Sequence, residues 1–172
     1  MRSRYSFADY SPEWPAAFED AAKQLRLLLD GELVAVHHIG STSVPGLAAK
    51  PIIDLMPVVR VIESVDSLVP AFRDAGYRDW GEYGLPGRRY FTRDRDGLRT
   101  HNVHVYQFDN PEVERHLAFC AYLRHDDSAR QEYEAQKRAA YVLHPVDIDA
   151  YNDAKNAWIK RTEQLALDWY RR

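Results

Sequence analysis

The chain has 172 residues, a single cysteine and a formal net charge of −3, with 45% hydrophobic and 28% charged residues. That length suits one domain spanning residues 1–172 with a real core, and the composition lies far from that of a disordered chain. The negative charge argues against bulk nucleic-acid binding, and Cys120 alone builds neither an internal disulfide nor a cysteine-based zinc site. No run approaches the ~20 apolar residues of a membrane span, and Met1 to Tyr10 lacks the apolar stretch of a signal peptide. A cytoplasmic protein without membrane contact is the expectation.

Ser11-Pro12-Glu13 has the form of a helix start, and Trp14, Phe18, Ala21, Leu25 and Leu28 then recur on one helical face until Gly31. Leu33 to Ile39 reads as a short strand that runs into the polar loop Gly40-Ser41-Thr42-Ser43. Pro51 to Val59 reads as an apolar strand interrupted by one acid, Asp54. Ile62, Val65, Val69 and Phe72 keep helical spacing up to Gly76. Beyond a glycine-rich stretch, Arg89 to Thr92 and Asn102 to Phe108 flank a turn at Asp96-Gly97 and predict a hairpin. Its second strand alternates Val103 and Val105 with Asn102, His104 and Tyr106, so the polar set can line a site. Asn110-Pro111-Glu112 opens another helix, a charged helix runs from Ser128 to about Tyr141, and His144-Pro145 ends it. From Asp147 the positions Ile148, Tyr151, Lys155, Trp158, Thr162, Leu165 and Trp169 predict a long final helix packed through an aromatic-rich face.

Two features carry chemistry. Small residues at Gly40, Ser41, Thr42 and Ser43 let backbone approach a phosphate, best of all where N–H groups converge at a helix start. On the next strand Asp54 is costly inside an apolar run unless it meets a cation, a donor or solvent, and a Mg²⁺ bound to triphosphate is one such cation. A structural ion pair is the competing account of Asp54. Lys50 between them suits a phosphate or a solvated position, and Arg88 and Arg89 suit an anion or an exposed loop. His104 reads as a hydrogen-bonded strand residue, a ligand or a base, whereas adjacent His37 and His38 face opposite ways and make no metal pair. The Arg130 to Arg138 run reads as an exposed salt-bridged face, from which Tyr133 and Lys137, one turn apart, can reach a pocket.

The segment from His38 through Gly40-Ser41-Thr42-Ser43-Val44-Pro45-Gly46 to Lys50-Pro51-Ile52-Ile53-Asp54 resembles the signature of the GrpB (UPF0157) family of the nucleotidyltransferase superfamily. Trp14, Gly76-Tyr77, Arg88-Arg89-Tyr90-Phe91, Val103-His104-Val105, Phe119, Tyr122-Leu123-Arg124, Tyr133 and Lys137 extend the resemblance over nearly the whole chain. It implies an α/β (α+β) fold, a nucleotidyltransferase-like mixed β-sheet flanked by helices with a C-terminal helical part. It also implies a glycine-serine loop facing nucleotide phosphates and a strand acid near the metal. The superfamily pattern pairs that acid with a second one two residues on, and Met56 stands there. Asn102 stands where the family tends to carry a histidine, and Cys120-Ala121 where it usually has Arg-Asp.

The expectation is therefore binding of a nucleoside triphosphate with Mg²⁺ and transfer of a nucleotidyl or phosphoryl-containing group to a small acceptor whose identity the sequence leaves open. Asp54 would hold the metal and, with His104, serve catalysis; Gly40, Ser41, Thr42, Ser43, Lys50, Arg88 and Arg89 would face phosphates. Asn102, Tyr106, Tyr133 and Lys137 are the candidates for substrate contact. The alternatives are a non-catalytic module for a nucleotide or phosphorylated metabolite, and an enzyme repurposed for another anionic substrate.

Overall fold

A computed structural model describes residues 5–172; Arg2 and Arg4, part of the N-terminal stretch read above, lie outside the described residues. Helix α1 (Trp14–Leu28) turns through Gly31 into β1 (Leu33–Ile39), and a 3-10 turn (Ser41–Ser43) leads to β2 (Ile53–Val59). A second 3-10 stretch (Ile62–Leu68) and helix α2 (Val69–Asp74) precede strands β3 (Arg78–Asp79), β4 (Arg88–Arg95) and β5 (Leu98–Gln107). Helices α3 (Pro111–His125), α4 (Asp127–Leu143) and α5 (Ile148–Tyr170) complete the chain. The helix expected over Ile62 to Phe72 is thus split. Pro70 has no N–H to continue a helical ladder from the preceding turn but is welcome in a first turn, so the α-helix begins at Val69 and ends before Gly76 at φ +87°.

The five strands form one mixed sheet in the order β1-β2-β5-β4-β3, with β2 and β5 parallel and every other neighbouring pair antiparallel. The hairpin at Asp96-Gly97 is present and longer than expected, with Asp96 and Gly97 both at positive φ. Alternation along β2 sorts the core. Ile53, Leu55 and Val59 join Val103, Val105 and Phe91 beneath α1 and α2, while Met56 and Val58 join Ile39, Tyr106 and Cys120 on the other face. Leu55, Phe91, Val103 and Val105 are fully enclosed, each worth about 1.5–3 kcal/mol of transfer free energy. A third apolar cluster joins Val44 and Leu47 to Leu123 of α3, Tyr133 of α4 and Trp158 of α5, and so docks the helical C-terminal part on the loop between β1 and β2.

The starts of α3, α4 and α5 are set by side chains. Asn110 accepts from the Glu112 N–H at 2.9 Å, Asp126 from Ala129 at 2.9 Å and Asp147 from Ala150 at 3.0 Å. The second of these starts α4 at Asp127, one residue ahead of the Ser128 expected, because Asp126 is the cap. Among the described residues no helix is long and apolar enough to cross a membrane.

Candidate functional site

Register brings the site together. Asp54 lies near the start of β2, opposite Ile39 at the end of β1 on one side and Asn102 of β5 on the other. Gly40, the next residue after β1, is therefore held against Asp54. Its backbone has φ +71° and ψ −175°, a region almost reserved for glycine, and a Cβ there would lie 2.6 Å from Asp54 Oδ2. Glycine is needed for both conformation and space.

The loop that follows is a single 3-10 turn, so the helix start expected to gather N–H groups beside the phosphate is not there. Ser43 and Val44 N–H close the turn onto Gly40 and Ser41 carbonyls, and Ser43 Oγ donates to Gly40 O at 2.7 Å. Thr42 Oγ1 donates to Ile52 O at 3.3 Å and meets His38 Nε2 at 3.0 Å. Since that hydroxyl hydrogen goes to the carbonyl, His38 donates through Nε2. His38 also stacks on Phe18 at 4.7 Å, and burial lowers its pKa to about 4, which keeps the ring neutral. Thr42 and Ser43 thus shape the loop, and the Ser41 hydroxyl meets Tyr133 in the wall of the cleft.

That cleft, about 210 Å³, is lined by Gly40, Ser41, Thr42, Lys50, Asp54 and Asn102 from the sheet side and by Phe119, Tyr133, Lys137, Tyr151 and Lys155 from the three C-terminal helices. Asp54 Oδ1 accepts from Asn102 Nδ2 at 2.9 Å, and Asn102 Oδ1 in turn accepts from Tyr90 Oη at 3.0 Å and Arg99 Nη1 at 3.2 Å. His104 Nε2 approaches the same Asp54 oxygen at 3.4 Å, and its Nδ1 faces Arg88 Nη1 at 3.4 Å. An arginine only donates, so Nδ1 is the acceptor and the Nε2 hydrogen points at the carboxylate. Asp54 is thus oriented by two donors on β5, and no lysine or arginine forms an ion pair with it among the described residues.

The cations converge from elsewhere. Lys50 Nζ lies 5.0 Å from the Tyr151 ring centre and Lys155 Nζ lies 4.7 Å from it. Lys137 is 1% exposed, donates to Ala48 O, and sits 4.7 Å from the Tyr133 ring centre. Burial and the neighbouring Lys155 bring the Lys137 pKa down to about 7, with Glu134 opposing; burial and Lys50 bring Lys155 to about 8, with Asp54 opposing. Lys50 is lowered as well, by burial.

Five expected residues fall outside the cleft lining: Ser43, whose hydroxyl is turned into its own loop, His104, which meets Asp54 from β5, and Arg88, Arg89 and Tyr106. Alternation along β4 sends Arg88 and Arg89 to opposite faces. Arg88 lies behind His104, its guanidinium held by Tyr83 O at 2.7 Å and Glu82 O at 3.1 Å. Arg89 grips Asp66 through two bonds of 2.6 and 3.1 Å and does not reach the lysines. Tyr106 shares the Asp54 face but is wholly enclosed with Met56 and Cys120 under α3. Conversely, Lys155, Tyr151 and Phe119 join the cleft without having been named as site residues. For Lys155 the signal was present, since it stands on the packing face of the final helix, where an ammonium needs a reason.

The GrpB protein family model matches residues 5–165. UPF0157 protein YqkA of Bacillus subtilis is 42% identical over 160 residues, 93% of this chain and 46% of that protein, so the chain spans about half the length of this relative. The crystal structure of conserved protein GrpB from Enterococcus faecalis matches with 45% identity and a TM-score of 0.93, covering 97% of this chain and all of that one. The Cid1 poly(U) polymerase aligns with a TM-score of 0.53 at 10% identity over 78% of this chain and 42% of that one, a likeness of fold. By model, sequence and structure the chain belongs to the GrpB family, on a mixed sheet of the nucleotidyltransferase-like kind.

Proposed function

We propose that this cleft binds the phosphate chain of a nucleoside triphosphate together with Mg²⁺, and that the protein transfers a nucleotidyl or related phosphoryl-containing group to a small acceptor. The observation that carries the reading is the placement of one oriented carboxylate, Asp54, against a glycine loop and across from three lysines in a single cleft. Three lysines against one aspartate leave two formal positive charges when all are ionised, which suits a polyanion and repels a free cation.

The donor set suits one metal ion. Asp54, held by Asn102, would be the one protein carboxylate to hold it, and Mg²⁺ ordinarily takes one or two carboxylates and completes its shell from water and substrate phosphates. A paired-acid cage does not fit, because the second position is Met56, sealed in an apolar cluster. Bound at Asp54, Mg²⁺ would offset phosphate charge during transfer. The chain's own residues do the rest: Gly40 lets the loop lie against the Asp54 carboxylate, Ser41 offers a hydroxyl, Lys50 supplies charge, and Asn102 fixes the carboxylate. His104, with both ring nitrogens engaged, holds Asp54 in place; it is a positioning residue in this reading rather than the base.

The enclosure of Met56 favours a second reading, binding without turnover. One experiment separates the two. Thermal shift with each nucleoside triphosphate, with and without Mg²⁺, should show a metal-dependent rise for the wild-type protein that Asp54→Asn abolishes. Asn keeps the acceptor for Asn102 Nδ2, so the unliganded variant should stay within about 1 kcal/mol of wild type. Pyrophosphate or phosphate release, measured alongside, marks the enzyme. Binding to which Mg²⁺ adds nothing in the wild-type protein, with no release, marks the binding module and sinks the transfer reading.

A further inference from the structure

Lys137 is the least exposed charged residue of the cleft and, among the described residues, forms no ion pair with a carboxylate. Its ammonium donates to the Ala48 carbonyl, and the acid one turn before it, Glu134, is committed to Arg138 at 2.8 Å and to the Ala48 N–H at 3.2 Å. From the N-terminal segment the Phe7 ring faces it at 5.8 Å; from its own helix come Tyr133 and Arg138; from β2 and the loop before it come Asp54 and Lys50; from α5 comes Lys155. Lys50 and Lys155 meanwhile both lean on the one Tyr151 ring. Three amines are crowded about one cleft with a single acid among them. Buried ammonium groups are rare unless paired, so such a grouping calls for an anion brought from outside.

We propose that Lys137 sets the ligand class of this cleft: its ammonium is completed by one phosphate of a linked chain whose other phosphates meet Lys50 and Lys155, so a polyphosphate chain is selected over a single phosphate. The inference deepens the phosphate-binding part of the reading above and is independent of its nucleoside and metal parts. A lone phosphate brings about two charges and cannot answer three separated ammonium groups, whereas a chain of three brings more and spans them. Selection also carries a signature. With Lys137 lowered to about 7 and Lys155 to about 8, the empty cleft is partly deprotonated near neutral pH. A polyanion favours the charged amines, so binding must draw protons from solution.

Isothermal titration of the full chain with metal-free tripolyphosphate, pyrophosphate and orthophosphate reads both features. At about pH 7.5, in two buffers of different ionisation enthalpy, affinity should rise with chain length and tripolyphosphate should bind with net proton uptake. Lys137→Met, apolar and similar in length, should lower tripolyphosphate affinity about tenfold to hundredfold and cut the uptake, with orthophosphate little changed. Lys155→Met repeats the test should the first variant not fold. Equal affinities across the three phosphates, no proton uptake, or undiminished tripolyphosphate binding by the variants overturns the inference. Mg²⁺–ATP titrated in parallel keeps the readings apart. Chain-length selection without ATP binding leaves the inference standing and removes the nucleoside reading. ATP binding without chain-length selection does the reverse.

Discussion

Replacing Gly40 by alanine tests whether the loop and Asp54 form one unit. The residue stands at φ +71° and ψ −175°, and holding a side-chain-bearing residue there costs about 1–3 kcal/mol. The added methyl would also lie 2.6 Å from Asp54 Oδ2 and 3.2 Å from its Cβ and Cγ, so the carboxylate must turn away or the strand ends must part. Overpacking of that kind adds about 1–3 kcal/mol. Together they predict a loss of about 2–6 kcal/mol, a fall in Tm of about 4–24 °C for a domain of this size. Gly46→Ala is the control, for Gly46 has φ +80° and open space where its Cβ would go, so strain alone is charged to it. Denaturant midpoints of Gly40→Ala, Asp54→Ala and the double variant close a thermodynamic cycle, and the two sites should couple by at least about 1 kcal/mol. Should Gly40→Ala cost no more than Gly46→Ala, with no coupling to residue 54, the contact that defines this site is wrong.

Two further outcomes follow from the same geometry. Met56→Asp, the change that would rebuild a paired-acid strand, places a carboxylate among Ile39, Val58, Tyr106 and Cys120, and should cost about 3–5 kcal/mol by denaturant midpoint. A variant of wild-type stability that gains Mg²⁺ or Mn²⁺ binding would show instead that the cleft reaches this position. For Lys137 the folded pKa, about 7, lies below the ordinary 10.5, so the unfolded chain binds more protons between these values. The unliganded protein should therefore gain stability as pH rises from about 7, and urea midpoints for Lys137→Met should show a shallower rise; parallel slopes would mean the amine is not buried as described.

Much of the sheet could be read from residue pattern because its constraints are local. The Asp54 strand is apolar on both sides, which only a strand covered on both faces requires, and alternation from Val103 and Val105 placed Asn102 and His104 on one face. Alternation also shows why Arg88 and Arg89 cannot share a site, a consequence that reading them as one basic pair hid. Strand β3 is two residues long and has no period to detect. The charged α4 reads as a solvated face by composition, and most of it is. Only docking on the loop between β1 and β2 turns Tyr133 and Lys137 inward, and that is a tertiary fact. Lys155 was placed on the correct face and given no role, because periodicity treats a lysine stem at a packing position as apolar cover.

The two charge anomalies of the chain are linked by this packing. A strand carrying a second acid at residue 56 would direct it toward the space that Cys120 and the body of α3 now fill, so helix α3 and a two-metal cage compete for the same face of the sheet. With α3 seated, the chain keeps one carboxylate, and the helices that follow bring Tyr133, Lys137, Tyr151 and Lys155 over it. The balance of charge at the cleft then moves from acid to base, and in the proposed reading positive side chains of the protein would take over much of the neutralisation that a second metal ion would supply. Removing Asp54 and removing Lys137 must consequently have different signatures. The first acts on metal dependence and leaves metal-free anion binding intact or tighter, because a negative charge has gone from the cleft. The second weakens every polyphosphate ligand, with or without metal.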